Sequence, residues 1–189
     1  MVVRPKIIYI APLGDMEEEH LRCVAESITE QFGLRVLIMP NQGPPDYALD
    51  ARRLQYNSNV ILKRLMVLCP PDGVKILGVT PFDLFSPIFA HVFGEAQFGG
   101  KCTVISSFRL GGNPDSSNAR GCPPLISRLE KEAIHELGHT FGLRHCSDPD
   151  CVMHYSTGLQ CADRKFAFFC PPCRDLMLWN MAGDLFLKV

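Results

Sequence analysis

The sequence predicts a mixed α/β (α+β) fold built on five strands in a twisted, largely parallel sheet. Three observations predict it. Short continuous apolar runs recur between residues 6 and 107, the mark of strands buried on both faces. Segments with apolar residues at helical spacing fall between them, so parallel strands joined by crossover helices are expected. One long helical segment follows the last strand and leads into a stretch rich in histidine and cysteine.

Residues 6–11 (KIIYIA) read as the first strand. The stretch MVVRPKIIYIAPLG mimics a signal peptide, but Pro12 interrupts a short apolar run and the acidic DMEEEH follows without a small-residue cleavage site. Asp15 and Glu18 form a capping-box pattern for a helix that places Leu21, Val24, Ala25, Ile28 and Phe32 on one face. Gly33 ends it, and RVLIM (35–39) is the second strand. Residues 41–47 are a loop by their Gly and Pro content, and 48–54 carry no clear pattern. Ser58 is expected to cap a helix over 59–68. KILGVT (75–80) is the third strand, PFDLFSP a loop, 88–96 a fourth strand at a sheet edge, and CTVISS (102–107) the fifth. A Gly/Pro/Ser/Asn loop (111–124) either shapes one side of a cleft or serves as a linker. The long helix is expected over 125–141, and a C-terminal helix, broken near Gly183, over 174–187.

The chain of 189 residues can bury a core without staples. A net charge of −1 gives no general attraction to nucleic acid or anionic membrane, and no apolar stretch is long enough for a membrane span. A cytoplasmic monomer acting on peptide or protein is expected. The nine cysteines are an odd number, which argues against a secreted disulfide framework. Cys23, Cys69, Cys102, Cys122 and Cys161 are scattered and read mostly as small buried apolar residues. The sequence leaves a disulfide among them, such as Cys69–Cys102, open.

The chemistry concentrates in HELGHTFGLRHCSDPDCVMH (135–154). His135 and His139 are four residues apart, so both imidazoles face one side of a helix. Glu136 projects beside them as a free carboxylate. Gly142 tolerates the left-handed backbone that ends a helix, so the chain can turn back and deliver His145 as a third nitrogen ligand. Two histidines, a glutamate, a glycine and a third histidine in this register form the extended H-E-x-x-H-x-x-G-x-x-H string of a catalytic zinc site. Cys146 and Cys151, then Cys170 and Cys173, pair as C-x4-C and C-x2-C. That pattern suits a closed tetrahedral zinc; a redox pair or free thiols are the other readings.

These motifs resemble the archaemetzincins, small metzincin-type zinc peptidases with a second zinc on four cysteines. The likeness is close over 135–173 and extends more weakly to QYNS (55–58) and KILGVTPFDLF (75–85). The Met153–Cys170 interval is one residue shorter than the family pattern. The resemblance implies a zincin-like fold whose fourth strand is antiparallel and rims the cleft. It implies a catalytic zinc on His135, His139 and His145, a structural zinc on Cys146, Cys151, Cys170 and Cys173, and Met153 in a Met-turn beneath the catalytic metal. Tyr155 follows Met153 at the distance where some metzincins place a tyrosine near the zinc or the oxyanion; a buried aromatic or an unrelated loop residue is the equal alternative. One catalytic domain is expected, with an N-terminal lobe over 1–142 and a C-terminal lobe over 143–189. The implied reaction is peptide-bond hydrolysis with Glu136 as general base toward a zinc-bound water; the alternative is a non-catalytic binding module stabilised by zinc. His154, His91 and His20 receive no catalytic role.

Overall fold

Alternation along the first strand already sets two layers. In β1 (Ile7–Pro12), Ile8 and Ile10 point to one face of the sheet and Ala11 to the other, as the period of two requires. The structure, a computed structural model, describes residues 6–111 and 124–186. On the first face pack α1 (Glu18–Phe32) and, later, the long helix; on the second packs a single shorter helix.

After β2 (Arg35–Ile38), a 3-10 turn and two short strands, β3 (Leu49–Asp50) and β4 (Gln55–Asn57), lead into α2 (Ser58–Leu68). Then follow β5 (Gly73–Thr80), β6 (Leu84–Ser86), β7 (Phe89–Val92), β8 (Gly94–Ala96) and β9 (Cys102–Ser106). The main sheet has five strands in the order β2-β1-β5-β9-β8. All neighbours are parallel except β8, which runs antiparallel to β9 at the edge. A second, four-stranded sheet, β3-β4-β6-β7, sits beside it. Among the described residues no helix is long and apolar enough to cross a membrane.

The long helix α3 (Pro124–Thr140) starts on proline, whose missing N–H costs nothing in a first turn. It ends at Gly142, with φ of +82°. The N–H of Gly142 donates to His139 O and that of Leu143 to Gly138 O, each at 3.0 Å, the paired bonds of a Schellman turn. Lys75 of β5 is buried and donates from Nζ to Thr140 O at 2.8 Å. A cation at the negative end of the helix dipole thus ties α3 to the sheet. Beyond the turn come α4 (Leu159–Arg164) and α5 (Pro171–Phe186).

Several expectations need correction. Asp15 and Glu18 form no capping box: α1 begins at Glu18 without a side-chain cap, and Asp15 accepts from Asn41 at 3.3 Å instead. The cap of α2 is Asn57, which accepts from the Asn59 N–H; Ser58 is the first helical residue and donates to Phe85 O at 2.8 Å. The stretch 88–96 is not one strand. It breaks at Phe93 into β7 in the small sheet and β8, which alone is the antiparallel edge of the main sheet. PFDLFSP is not all loop, since β6 runs through it between β4 and β7. The last helix starts three residues early, at Pro171, and continues through Gly183. Cys69 and Cys102 are free thiols, not a disulfide. The 111–124 loop, from residue 112 to 123, and Cys122 with it, lie outside the described residues.

Candidate active site

Helix α3 carries the first part of the site. His135 and His139 stand one turn apart with their Nε2 atoms 3.1 Å from each other. Each ring is aimed by its other nitrogen: His135 Nδ1 donates to Val152 O and His139 Nδ1 to Leu143 O, both at 2.8 Å. Leu143 belongs to the Schellman turn, so the glycine bend orients a ring as well as reversing the chain. That bend brings His145 back, its ring centroid 4.9 Å from that of His139 and 5.3 Å from that of His135. One ligand nitrogen from each of the three lies within 4.8 Å of the others.

The donor set fits a zinc ion. With both Nδ1 protons committed to carbonyls, the two Nε2 atoms face each other as lone-pair acceptors, a repulsive contact unless a cation lies between them. Zinc–nitrogen distances of about 2.1 Å in a tetrahedron put ligand nitrogens roughly 3.4 Å apart, close to the spacing found. Burial pushes the His135 imidazole well below its usual range, with Lys165 and His139 adding to it, and burial lowers His139 and His145 too. All three therefore favour the neutral ligating form.

The four cysteines Cys146, Cys151, Cys170 and Cys173 also converge, one sulfur from each within 4.8 Å of the rest. Cys146 Sγ and Cys170 Sγ are 3.7 Å apart, too far for a disulfide. A tetrahedron with zinc–sulfur bonds of about 2.3 Å has edges of roughly 3.8 Å. The N–H groups of Asp148 and Cys170 donate to Cys146 Sγ and Cys151 Sγ, each at 3.4 Å, which suits thiolates. His145 and Cys146 are consecutive, so one peptide bond joins the two clusters.

Around the histidines lies a cleft of about 470 Å³, walled by β7 and β8 on one side and by Tyr155, Ser156 and Thr157 on the other. Glu136 lines it and is nearly buried. Burial pushes its carboxyl well above the usual range, and Glu132 and Glu95 push it further. Met153 is fully buried against Gly138, the residue before His139: a Cβ at Gly138 would stand 2.5 Å from its sulfur. Tyr155 is half exposed in the cleft wall, its ring 4.9 Å from His145, so it is not a buried packing aromatic. His154 Nδ1 donates to Cys146 O (2.9 Å), and His91 is exposed on β7.

The profile of peptidase family M54 matches residues 20–178. The chain belongs to peptidase family M54. Among curated members, the archaemetzincin of Archaeoglobus fulgidus is 40% identical over 88% of this chain and 95% of its own length. That of Methanocaldococcus jannaschii is 39% identical over 88% and 89%. Among solved structures, archaemetzincin from Methanopyrus kandleri superposes with a TM-score of 0.79 at 31% identity, covering 96% of this chain and 99% of that one. The malonate complex of archaemetzincin from A. fulgidus gives 0.76 at 36%, covering 90% and 99%. As an M54 member of the archaemetzincin kind, the chain is a zinc metallopeptidase.

Several residues of this M54 site were not anticipated. Gly138 and Gly94 admit neighbours where a side chain would not fit. Arg128 binds Asp163 through two nitrogens at 2.7 Å, and Lys131 donates to Ala162 O at 3.0 Å, strapping α4 onto α3. The strap delivers Lys165, whose Nζ donates to His154 O at 3.2 Å beneath the cleft. Spacing alone could have flagged Glu132, four residues before Glu136 and so on the same helical face. Nothing local marks Lys165, because its position depends on a contact more than thirty residues away in the chain.

Proposed function

We propose that the chain hydrolyses peptide bonds with a zinc held by His135, His139 and His145, Glu136 acting as general base. The observation that carries this reading is the convergence of three oriented imidazole nitrogens beside a cleft-lining carboxylate with no structural duty. When bound, the metal lowers the pKa of a water to about 7 and polarises the scissile carbonyl. Glu136 takes the proton from the attacking water and passes it to the leaving amine. Burial and the neighbouring Glu132 raise its proton affinity, so it holds a transferred proton more readily than an exposed carboxylate does. Val152 O and Leu143 O hold two rings in the ligating tautomer, and Met153 packs beneath them as a Met-turn. Tyr155, beside His145, is assigned to the oxyanion side of the cleft. The free edge of β8 offers backbone groups to an extended substrate.

The cysteine cluster is assigned a second, structural zinc that fastens the lobe after Gly142 to the N-terminal lobe. None of the eight described cysteines is joined in a disulfide, which fits a reducing, cytoplasmic setting. The test is Glu136→Gln. The variant should keep two zinc ions per chain by elemental analysis and lose peptide cleavage by about a thousandfold or more. Cleavage at the parental rate overturns the assignment.

A further inference from the structure

The carboxylates of the cleft are already engaged. Glu136 moves the proton, Glu132 has the Lys165 ammonium as its charge partner, and the Glu95 carboxylate is held by the Ser58 hydroxyl. The wall built by β7 still lacks a role. Phe89, Ala90 and Val92 give it an apolar lining, with His91 the one polar side chain among them. Phe89 is 53% exposed on this wall, and Ile88 just before it is 82% exposed. Large apolar side chains held together in water at the rim of a site are the surface a ligand gains most by covering.

This strand is fixed more firmly than its place in the fold would require. Four residues at the outside of a small sheet, paired on one side only, ordinarily fray. Here the Ala90 carbonyl accepts from Gln55 Nε2 at 3.1 Å and from Arg53 Nη2 at 3.2 Å. Gln55 Nε2 also donates to Asp83 Oδ2 at 2.9 Å, and Gln55 Oε1 accepts from Arg53 Nε at 3.1 Å. Arg109 grips the same Asp83 through two nitrogens, at 2.6 and 2.7 Å, the charge-assisted fork that fixes geometry best. Gln55 and Asp83 are buried, and neither they nor Arg109 line the cleft. A buried polar chain that ends on one carbonyl of an exposed strand sets where that strand stands.

The wall runs on directly from the reacting centre. Residues 89–96 pass from β7 through Phe93 into β8, where a Cβ at Gly94 would lie 2.7 Å from Glu136 Cγ. Phe89 is five residues before Gly94, so an extended substrate reaches it within about five residues of the scissile bond.

We propose that β7 is a specificity wall for a large apolar substrate side chain, aromatic or branched aliphatic, with Phe89 touching it and Gln55, clamped through Asp83 and Arg109, as the positioning residue that holds the wall in place. The inference rests on the peptidase reading and deepens it by naming the substrate class.

The test uses the full zinc-loaded chain and quenched peptides with phenylalanine, leucine, alanine or lysine placed in turn at each of about five positions on either side of the cleaved bond. At one position phenylalanine or leucine should give kcat/KM about tenfold or more above alanine, with lysine no better than alanine. Phe89→Ser should collapse that ratio to within about threefold, whatever its absolute rate. Gln55→Met should raise KM for the phenylalanine peptide by about fivefold or more with kcat within about twofold. A fall in kcat shared equally by the phenylalanine and alanine peptides overturns the clamp. In parallel, calorimetry on the Glu136→Gln protein, with and without Phe89→Ser, measures binding of the same peptides without turnover. Cleavage with no position favouring phenylalanine or leucine overturns the wall and keeps the peptidase. No cleavage by the parent, with tighter binding of phenylalanine peptides that Phe89→Ser abolishes, overturns the peptidase and keeps the wall. An unchanged ratio in Phe89→Ser overturns the role of Phe89.

Discussion

Gly138 should be intolerant of the smallest possible enlargement. An alanine there places its Cβ 2.5 Å from Met153 Sδ, 3.2 Å from Met153 Cε and 3.3 Å from a Phe169 ring carbon. Met153 is fully buried and Phe169 nearly so, so the sulfur must retreat by about 1 Å into a filled core. Overpacking of this kind costs roughly 1–3 kcal/mol. Alanine in a helix interior returns about 1 kcal/mol relative to glycine. The net loss is therefore about 1 kcal/mol, which for a chain this size lowers Tm by roughly 2–4 °C. The larger effect falls on activity, because His139 is the adjacent residue and a misplacement of about 1 Å costs on the order of a hundredfold. Thermal unfolding and kcat/KM on one peptide measure both. Met153→Ala removes the obstructing sulfur, so in the double variant Gly138→Ala should become neutral or stabilising, a coupling of at least about 1 kcal/mol. A Gly138→Ala protein with raised Tm and parental activity would refute the packing argument.

Other outcomes follow from the same geometry. Gly94→Ala puts a Cβ 2.7 Å from Glu136 Cγ and 3.0 Å from Val104 O, so cleavage should fall by about ten- to a hundredfold while zinc content stays parental. Stripping the cysteine cluster, by chelator or by Cys170→Ser, should lower Tm by about 8–16 °C, as expected for loss of a ligand present at a thousand times its Kd; an unchanged Tm would deny that cluster a stabilising role. Asp163 is held below the ordinary carboxylate range chiefly by its hydrogen bonds to Arg128. A lowered folded pKa stabilises above the unfolded value and is lost as pH falls through the folded one, so stability should drop below about pH 4. In Asp163→Asn that part of the acid sensitivity should vanish from the denaturation curve.

Much of this architecture was legible in the sequence because its signals are local. The apolar runs at 6–11, 75–80 and 102–107 became central strands since they are covered on both faces, and burial is what such runs encode. The histidine register was legible for the same reason: helical spacing and one glycine fix it. The small second sheet was not, because strands of two to four residues such as β3 and β6 carry too few positions for any period to show. The split of 88–96 at Phe93 depends on which sheet each half joins, a tertiary choice. The cap of α2 lies one residue earlier than expected, because Asn57 and Ser58 are adjacent candidates for the same N–H groups, and α1 takes no side-chain cap at all. Gly138 sits at a position the motif leaves free, and only Met153, fifteen residues further on, shows why it is small.

The anchorage of α3 by Lys75 has a consequence for how this scaffold can vary. Two of the three imidazoles stand on a helix whose final carbonyl is clasped by an ammonium of the sheet, and their rings are turned by Leu143 and Val152 beyond it. The third takes its pitch from the cysteine knot one residue away. Changes of chain length beyond Met153 thus fall outside the three residues, Lys75, Leu143 and Val152, that pitch and turn the first pair.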